Sequence, residues 1–199
     1  HDARFRTLGV FAESHWHIDD VHHLMSGLRV DRAQVDDRRA TTTGMMPMPN
    51  PTAGQRRSET LPGGFVRYEH DMGGKFGWYA GIGHAERMPD YWELFSPSRG
   101  PDGAANAFAG VRPERTTQLD AGLQYRSGGV EAWASLYAGR IDDYIVFDYL
   151  PGGTMGSTTR ARNLDADVAG GELGVDWKAA DGLKLSGVKD KKKLKEVAE

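Results

Sequence analysis

The chain has 199 residues, a formal net charge of −3 at pH 7 and no cysteine. The absence of cysteine excludes disulfide bonds, thiolate catalysis and cysteine-ligated zinc, and the charge lacks the basic excess expected of a nucleic-acid-binding protein. No stretch approaches the roughly 18 apolar residues of a transmembrane helix. With 39% hydrophobic residues and 26 glycines, the chain is either partly disordered or carries its apolar residues in alternating strands, so periodicity has to decide.

Short stretches in which apolar residues alternate with polar residues or glycine recur along the chain. Because successive side chains of a strand point to opposite faces, this period of two predicts half-buried strands. In residues 117–125, Leu119 and Leu123 share one face, and Gln118 and Asp120 share the other. A helix fits poorly, since each glycine costs it about 1 kcal/mol relative to alanine. The eight predicted strands are 5–18, 22–36, 64–72, 76–88, 116–127, 129–149, 160–179 and 183–188.

The connections between these strands alternate between short and long. Short connections with hairpin chemistry lie at 19–20, 72–75, 127–129 and 179–182. Long polar connections lie at 37–63, 89–115 and 150–159. This alternation predicts an all-β, antiparallel transmembrane barrel segment with short periplasmic turns and long extracellular loops. The alternative is a soluble antiparallel sandwich, which seldom has a long structureless loop at every second connection.

Three segments carry a family resemblance. Residues 81–95 end a predicted strand with the pattern Arg-x-Pro-x-x-x-Glu-Leu-Phe. Residues 111–123 begin with Val-Arg-Pro-Glu, continue with mostly polar residues and end in Gly-Leu. Residues 161–173 contain an Asn followed after six residues by Gly-x-Glu. In this order they resemble signatures of TonB-dependent outer-membrane receptors, and residues 84–97 are most similar to the TonB-dependent copper receptors. The signature positions are Arg87, Pro89, Glu93, Leu94 and Phe95.

The resemblance implies a barrel of about 22 strands, a plug domain and coupling to TonB. This chain has about eight predicted strands and no plug, so residues 1–187 are expected to form part of a barrel in the outer membrane of a Gram-negative bacterium. The implied function is energised uptake of a metal ion, which is copper in the copper-receptor subfamily. The implied partners are membrane lipid and TonB, the latter acting through the plug that is missing from this chain. Siderophore or cobalamin receptors, and a small structural or adhesive barrel, remain alternatives.

The last residues break the strand pattern. Five lysines occupy seven positions from Lys189 to Lys195, whereas an outer-membrane barrel is expected to end on a strand with an aromatic last residue. We therefore expect residues 188–199 to be a solvated tail outside the barrel, arising from a frame disruption or a fusion.

Methionines are concentrated in the predicted long loops. Met45, Met46 and Met48 form the run Met-Met-Pro-Met, and Met88 and Met155 also lie towards the long-loop side. Thioether sulfur is soft and suits Cu(I), so the resemblance and this pattern together predict copper capture by Met45, Met46, Met48 and Met88. The alternative is that methionine fills these loops because it packs adaptably.

Four histidines flank the first predicted turn. His15 and His17 share one face of a strand, and His22 and His23 follow the turn. A His-x-His pair can chelate a metal ion, but no third ligand is visible nearby, so the sequence favours a structural role.

No catalytic constellation emerges, and the chain is not expected to be an enzyme or to carry a covalent cofactor. Ser157, His84 and Asp143 have no nucleophile elbow or oxyanion context around them. Arg87, Glu86 and Glu93 predict an ion-pair cluster in a water-filled lumen. Tryptophans at positions 16, 78, 92, 133 and 177 are candidates for an interfacial girdle.

Overall fold

A computed structural model of the chain describes residues 2–41, 47–95, 106–150, 158–181 and 183–197. Within these ranges the chain forms one antiparallel sheet of eight strands, and each strand pairs with the next along the sequence. The strands are β1 (Ala3–His17), β2 (His22–Asp37), β3 (Arg56–Met72), β4 (Phe76–Arg87), β5 (Glu114–Ser127), β6 (Val130–Leu150), β7 (Thr158–Ala180) and β8 (Leu183–Glu196). The predicted all-β antiparallel fold is confirmed.

Two short helices, α1 (Tyr91–Phe95) and α2 (Ala107–Gly110), interrupt the long connection between β4 and β5. No helix among the described residues is long and apolar enough to span a membrane.

The strands are longer than the hydrophobic pattern indicates. β3 begins at Arg56 rather than at residue 64, because its first residues continue the ladder with β2, where Arg56 faces Asp36 and Arg57 faces Val35. The Arg56 Nε donates to Asp36 Oδ1 at 2.6 Å. These residues are charged or polar and give no apolar period. Strands of 12 to 23 residues exceed the roughly 9–11 residues that one crossing of a bilayer requires.

The two faces of the sheet differ in chemistry. On the outer face, Leu119 and Leu123 of β5 are 59% and 61% exposed, and Leu119 faces Ile82 of β4. The opposite, inner face carries polar residues such as Gln118 and Asp120. A continuous exposed apolar face suits lipid rather than water. Exposed members of the outer face are Leu8, Val10, Leu28, Val30, Val66, Ile82, Leu119, Leu123, Leu136, Leu173 and Val175.

Aromatic rings edge the outer face at its short-turn end. The rings of Tyr68 and Trp78 lie 5.3 Å apart there. Aromatic side chains at this level are typical of the boundary between lipid and water. Two predicted girdle residues lie elsewhere: Trp133 is on the inner face, against Gly174, and Trp92 is in α1. The tryptophans on this rim are Trp16, Trp78 and Trp177.

The short turns have the chemistry that their sequences predict. Asp19 Oδ1 accepts the backbone N–H groups of Val21 and His22, both at 2.9 Å. The bond from Val21 contributes most to lowering the pKa of the Asp19 carboxyl, and the side chain and backbone N–H of His22 lower it further. The pairs Gly73-Gly74 and Gly128-Gly129 have positive φ at both residues, as a tight hairpin turn requires.

The predicted end of the last strand at residue 188 is wrong. β8 continues along β7 to Glu196, which faces Ala166, so residues 188–196 are not a detached tail. The ladder needs only backbone N–H and C=O groups, which lysines supply as well as other residues do. All described side chains of β8 are nonetheless exposed. The register places Lys189, Lys191, Lys193 and Lys195 on the outer face, in line with Leu185.

Candidate functional site at the long-loop end

The Arg87 side chain joins the end of β4 to the start of β5. Its Nη1 and Nη2 donate to the two carboxylate oxygens of Glu93, both at 2.8 Å, and its Nε donates to Glu114 at 3.0 Å. Glu114 also accepts the Ile145 backbone N–H at 2.8 Å. Bidentate, charge-assisted bonds of this kind are among the strongest in proteins. The arrangement therefore clamps the beginning and the end of the long connection together.

The sequence around α1 explains how Glu93 is positioned. Asp90 Oδ1 accepts the Glu93 N–H at 2.9 Å, and Glu93 Oε2 accepts the Asp90 N–H at 2.8 Å. This reciprocal pair is a capping box, with aspartate in place of serine or threonine. Pro89 is fully buried immediately before it. Glu93 thus both caps α1 and binds Arg87.

The apolar half of the signature forms a small core. Leu94 is 0% exposed and Phe95 is 4% exposed, and both pack with Val35 of β2 and Phe108 of α2. The Arg39 guanidinium lies 3.9 Å from the centre of the Phe95 ring. The five signature residues are therefore engaged with the protein itself and hold the loop in place.

The predicted ion-pair cluster needs one correction. Glu86 lies on the other face of β4 from Arg87, where its carboxylate is 3.5 Å from His84. Alternation along a strand separates neighbouring residues in this way. Glu114, not Glu86, is the second carboxylate at Arg87.

The second and third resemblance segments meet beside this clamp. Asn163 Oδ1 accepts the Arg112 N–H at 2.8 Å, and Asn163 Nδ2 donates to the Asp143 carbonyl at 2.6 Å. Asp143 has a φ of 61° at a β-bulge in β6, and its carboxylate accepts from Arg112 and Arg115, both at 2.7 Å. The three segments that are far apart in sequence are therefore neighbours in the fold.

Asp143 is accordingly an ion-pair centre. His84, considered with it as a catalytic residue, shares a 2.8 Å hydrogen bond with Thr117 on the outer face. Ser157 lies outside the described residues.

The connection between β2 and β3 carries most of the predicted metal ligands. A β-bridge joins Thr41 to Pro49 within it. Met45 and Met46 lie outside the described residues, and Met48 is 63% exposed. Met88 instead packs against the small core around Leu94 and Phe95. The structure thus places Met48 and Met88 in different surroundings.

A buried polar network supports the base of this loop. The Asp37 carboxylate is fully buried and accepts from Arg39 at 2.8 Å, Asn50 at 3.0 Å and Thr52 at 2.8 Å. Asn106, at the start of α2, donates to Thr52 Oγ1 at 2.8 Å and joins the second long loop to the first. The sequence pattern does not predict this network, although Asp37 and the Asn-Pro-Thr run at 50–52 are residue types that brace loops.

The histidines lie at the other end of the sheet. His15, His17 and His23 are on the inner face beside the first short turn, and His22 is on the outer face. Across the part of the chain that the structure describes, no three His, Asp or Glu side chains are already grouped to hold a metal ion.

Comparisons with known proteins agree with the fold. The family model described as "TonB dependent receptor-like, beta-barrel" matches residues 1–192. The structure titled "Copper transporter OprC" is 49% identical with a TM-score of 0.91, over 98% of this chain and 31% of its own. The FrpB iron transporter from Neisseria meningitidis is 20% identical with a TM-score of 0.66, over 98% of this chain and 26% of its own. The pyoverdine receptor FpvA from Pseudomonas aeruginosa PAO1 is 16% identical, with the same TM-score and coverages.

No curated protein sequence matches the chain. The chain spans about a third or less of the length of these three solved structures. At their level of identity, FrpB and FpvA show the fold alone.

Proposed function

Because the chain belongs to the TonB-dependent receptor β-barrel family, we propose that it forms part of the wall of a receptor that takes up copper across the outer membrane of a Gram-negative bacterium. The observation that carries the choice of copper is the 49% identity to a protein described as a copper transporter. The apolar outer face, which suits lipid, supports the placement in a membrane.

Copper capture is proposed at Met45, Met46 and Met48 in the β2–β3 connection. Met45, Met46 and Met48 lie within four consecutive residues between the bridge partners Thr41 and Pro49. Thioethers select Cu(I) over harder ions, and the long-loop end is the extracellular end of such a barrel. Met88 packs against the small core, which favours a supporting role over direct capture.

The described base of this loop supports the proposal, because capture needs the connection to be fixed to the sheet. The fully buried Asp37 and its partners fix both arms of the loop to the top of the sheet. Energy for the transport step comes, in this proposal, from TonB acting through the plug domain of such a receptor.

Copper uptake by cells tests the proposal. In the full-length protein that contains this chain, Met45, Met46 and Met48 are replaced together by leucine, and radioactive copper uptake is measured at limiting copper. We expect a fall of about tenfold or more, equivalent to about 1.4 kcal/mol of binding free energy. Met72→Leu is the matched control, since Met72 is exposed at the opposite end of β3.

Unchanged copper uptake in the triple variant would overturn capture by the loop. TonB-dependent uptake of a ferric siderophore or cobalamin, without copper uptake, would instead establish one of the alternative receptor types.

A further inference from the structure

Three histidines and a methionine share the inner face at the short-turn end of β1 and β2. In the register of these strands, His17 faces His23 and His15 faces Met25. Side chains two residues apart on a strand lie on one face, so these four form a compact block. His22, next to His23 in sequence, points to the outer face. The register therefore supplies the further ligands that the sequence alone does not show.

The geometry brings two imidazoles into contact. The ring centroids of His17 and His23 are 4.9 Å apart at an angle of 82°. The Nδ1 atom of His23 is buried and has no hydrogen-bond partner. A buried imidazole nitrogen without a partner is unfavourable, and a metal ion bound there would satisfy it.

Met25 is within reach of this pair. It lies two residues from His23 on the same strand and diagonally across from His17. Diagonal neighbours in an antiparallel pair are roughly 7–8 Å apart, a span that a long side chain such as methionine covers. A cavity of about 240 Å³ is lined by His15, His17, His23, Met25 and Glu69, among others. The Glu69 carboxylate is ion-paired with Arg67, whose Nε lies 2.7 Å from one of its oxygens, so the lining offers imidazole nitrogen and thioether sulfur beside a partly neutralised carboxylate.

We propose that His17, His23 and Met25 form a second metal site that binds copper as Cu(I). The adjacent His15 shares a hydrogen bond with Glu13 through Nε2 at 2.6 Å. Imidazole and thioether together suit copper better than they suit the hard cations, which prefer oxygen. The absence of three grouped His, Asp or Glu residues in the described chain is consistent with this, because the third ligand is a thioether. The site lies at the opposite end of the sheet from Thr41 and Pro49, between which Met45, Met46 and Met48 occur in the sequence. A role in passing copper on towards the periplasm rests on the proposed function, whereas binding itself does not.

Direct binding measurements separate this site from the loop. The full-length protein is purified in detergent with Met45, Met46 and Met48 replaced by leucine, and Cu(I) is titrated anaerobically against a chromogenic Cu(I) chelator. His23→Leu and Met25→Leu are each expected to weaken Cu(I) binding by roughly tenfold or more, since even loss of groups that support metal ligands costs 10–100-fold. The matched controls are His22→Leu, whose side chain lies on the outer face, and Met72→Leu; both are expected to bind as the parent does.

X-ray absorption at the copper edge provides a second readout that does not depend on affinity. The parent is expected to show both nitrogen and sulfur neighbours of copper, and Met25→Leu to lose only the sulfur. Equal Cu(I) affinity in all four variants, or copper without sulfur neighbours in the parent, would overturn the site. Neither result tests copper capture by Met45, Met46 and Met48, which is tested by copper uptake in a protein that keeps His17, His23 and Met25.

Discussion

At the residue scale, Arg87 shows why a sequence signature need not mark a ligand site. Its guanidinium is shared between Glu93 and Glu114, whose side chains are only 13% and 11% exposed. Two nearly buried carboxylates at one guanidinium would repel each other if that cation were removed. The Arg-x-Pro-x-x-x-Glu spacing is therefore explained by the folding of the loop, whatever ligand the receptor carries.

Replacing Arg87 by lysine should destabilise the protein, because a single ammonium cannot make the fork of bonds to two carboxylates. We expect a loss of about 1–3 kcal/mol in the free energy of unfolding. The measurement is the urea midpoint of the full-length protein in lipid vesicles, at unchanged slope. Arg126→Lys is the control: its partner is Glu131, both side chains are more than half exposed, and such surface pairs contribute about 0–1 kcal/mol. Equal shifts in the two variants would show that Arg87 is an ordinary surface residue.

At the scale of strands and loops, the period-two pattern was sufficient for the eight strands and their order, because alternating apolar residues report directly on a two-faced sheet. It did not reveal the loop base, since Asn50 and Asn106 come from distant parts of the chain and only the fold brings them together. The pairing of His17 with His23 was hidden for a related reason. It depends on the register of β1 and β2, which the turn geometry sets.

The loop base yields a prediction about the β2–β3 loop. Asp37→Asn keeps the shape of the side chain but removes the charge opposite Arg39, whose side chain is only 10% exposed. Leaving that cation without its partner should loosen the loop. We expect faster trypsin cleavage after Arg38 or Arg39 on intact cells, and reduced copper uptake although every methionine is present.

The control for this experiment is Asp142→Asn, which breaks an exposed pair with Arg140 on β6. It should leave both the cleavage rate and the uptake as they are in the parent. An Asp37→Asn protein with normal cleavage and normal uptake would show that the buried network does not hold the loop.

At the scale of the whole molecule, the sheet has an apolar outer face but open edges. Within the described ranges, β1 and β8 each pair with one neighbour and not with each other. Unpaired backbone groups in lipid cost several kcal/mol each. The outer face of β8 adds a second difficulty: Lys189 faces Leu173 and Lys191 faces Gly171, at the level where neighbouring strands present leucine. A lysine facing lipid at the bilayer midplane costs about 2–4 kcal/mol.

These two costs predict that the 199-residue chain expressed alone will not form a membrane barrel. Refolded into lipid vesicles, it should aggregate and show no heat-modifiable band on gel electrophoresis. A variant with Lys189, Lys191, Lys193 and Lys195 replaced by leucine separates the causes. If the open edges dominate, this variant also fails to fold, because the backbone groups along the free edges of β1 and β8 still lack partners. If it alone folds, the lysines of β8 are the obstacle. A heat-modifiable band from the unaltered chain would contradict both arguments and favour a small closed barrel.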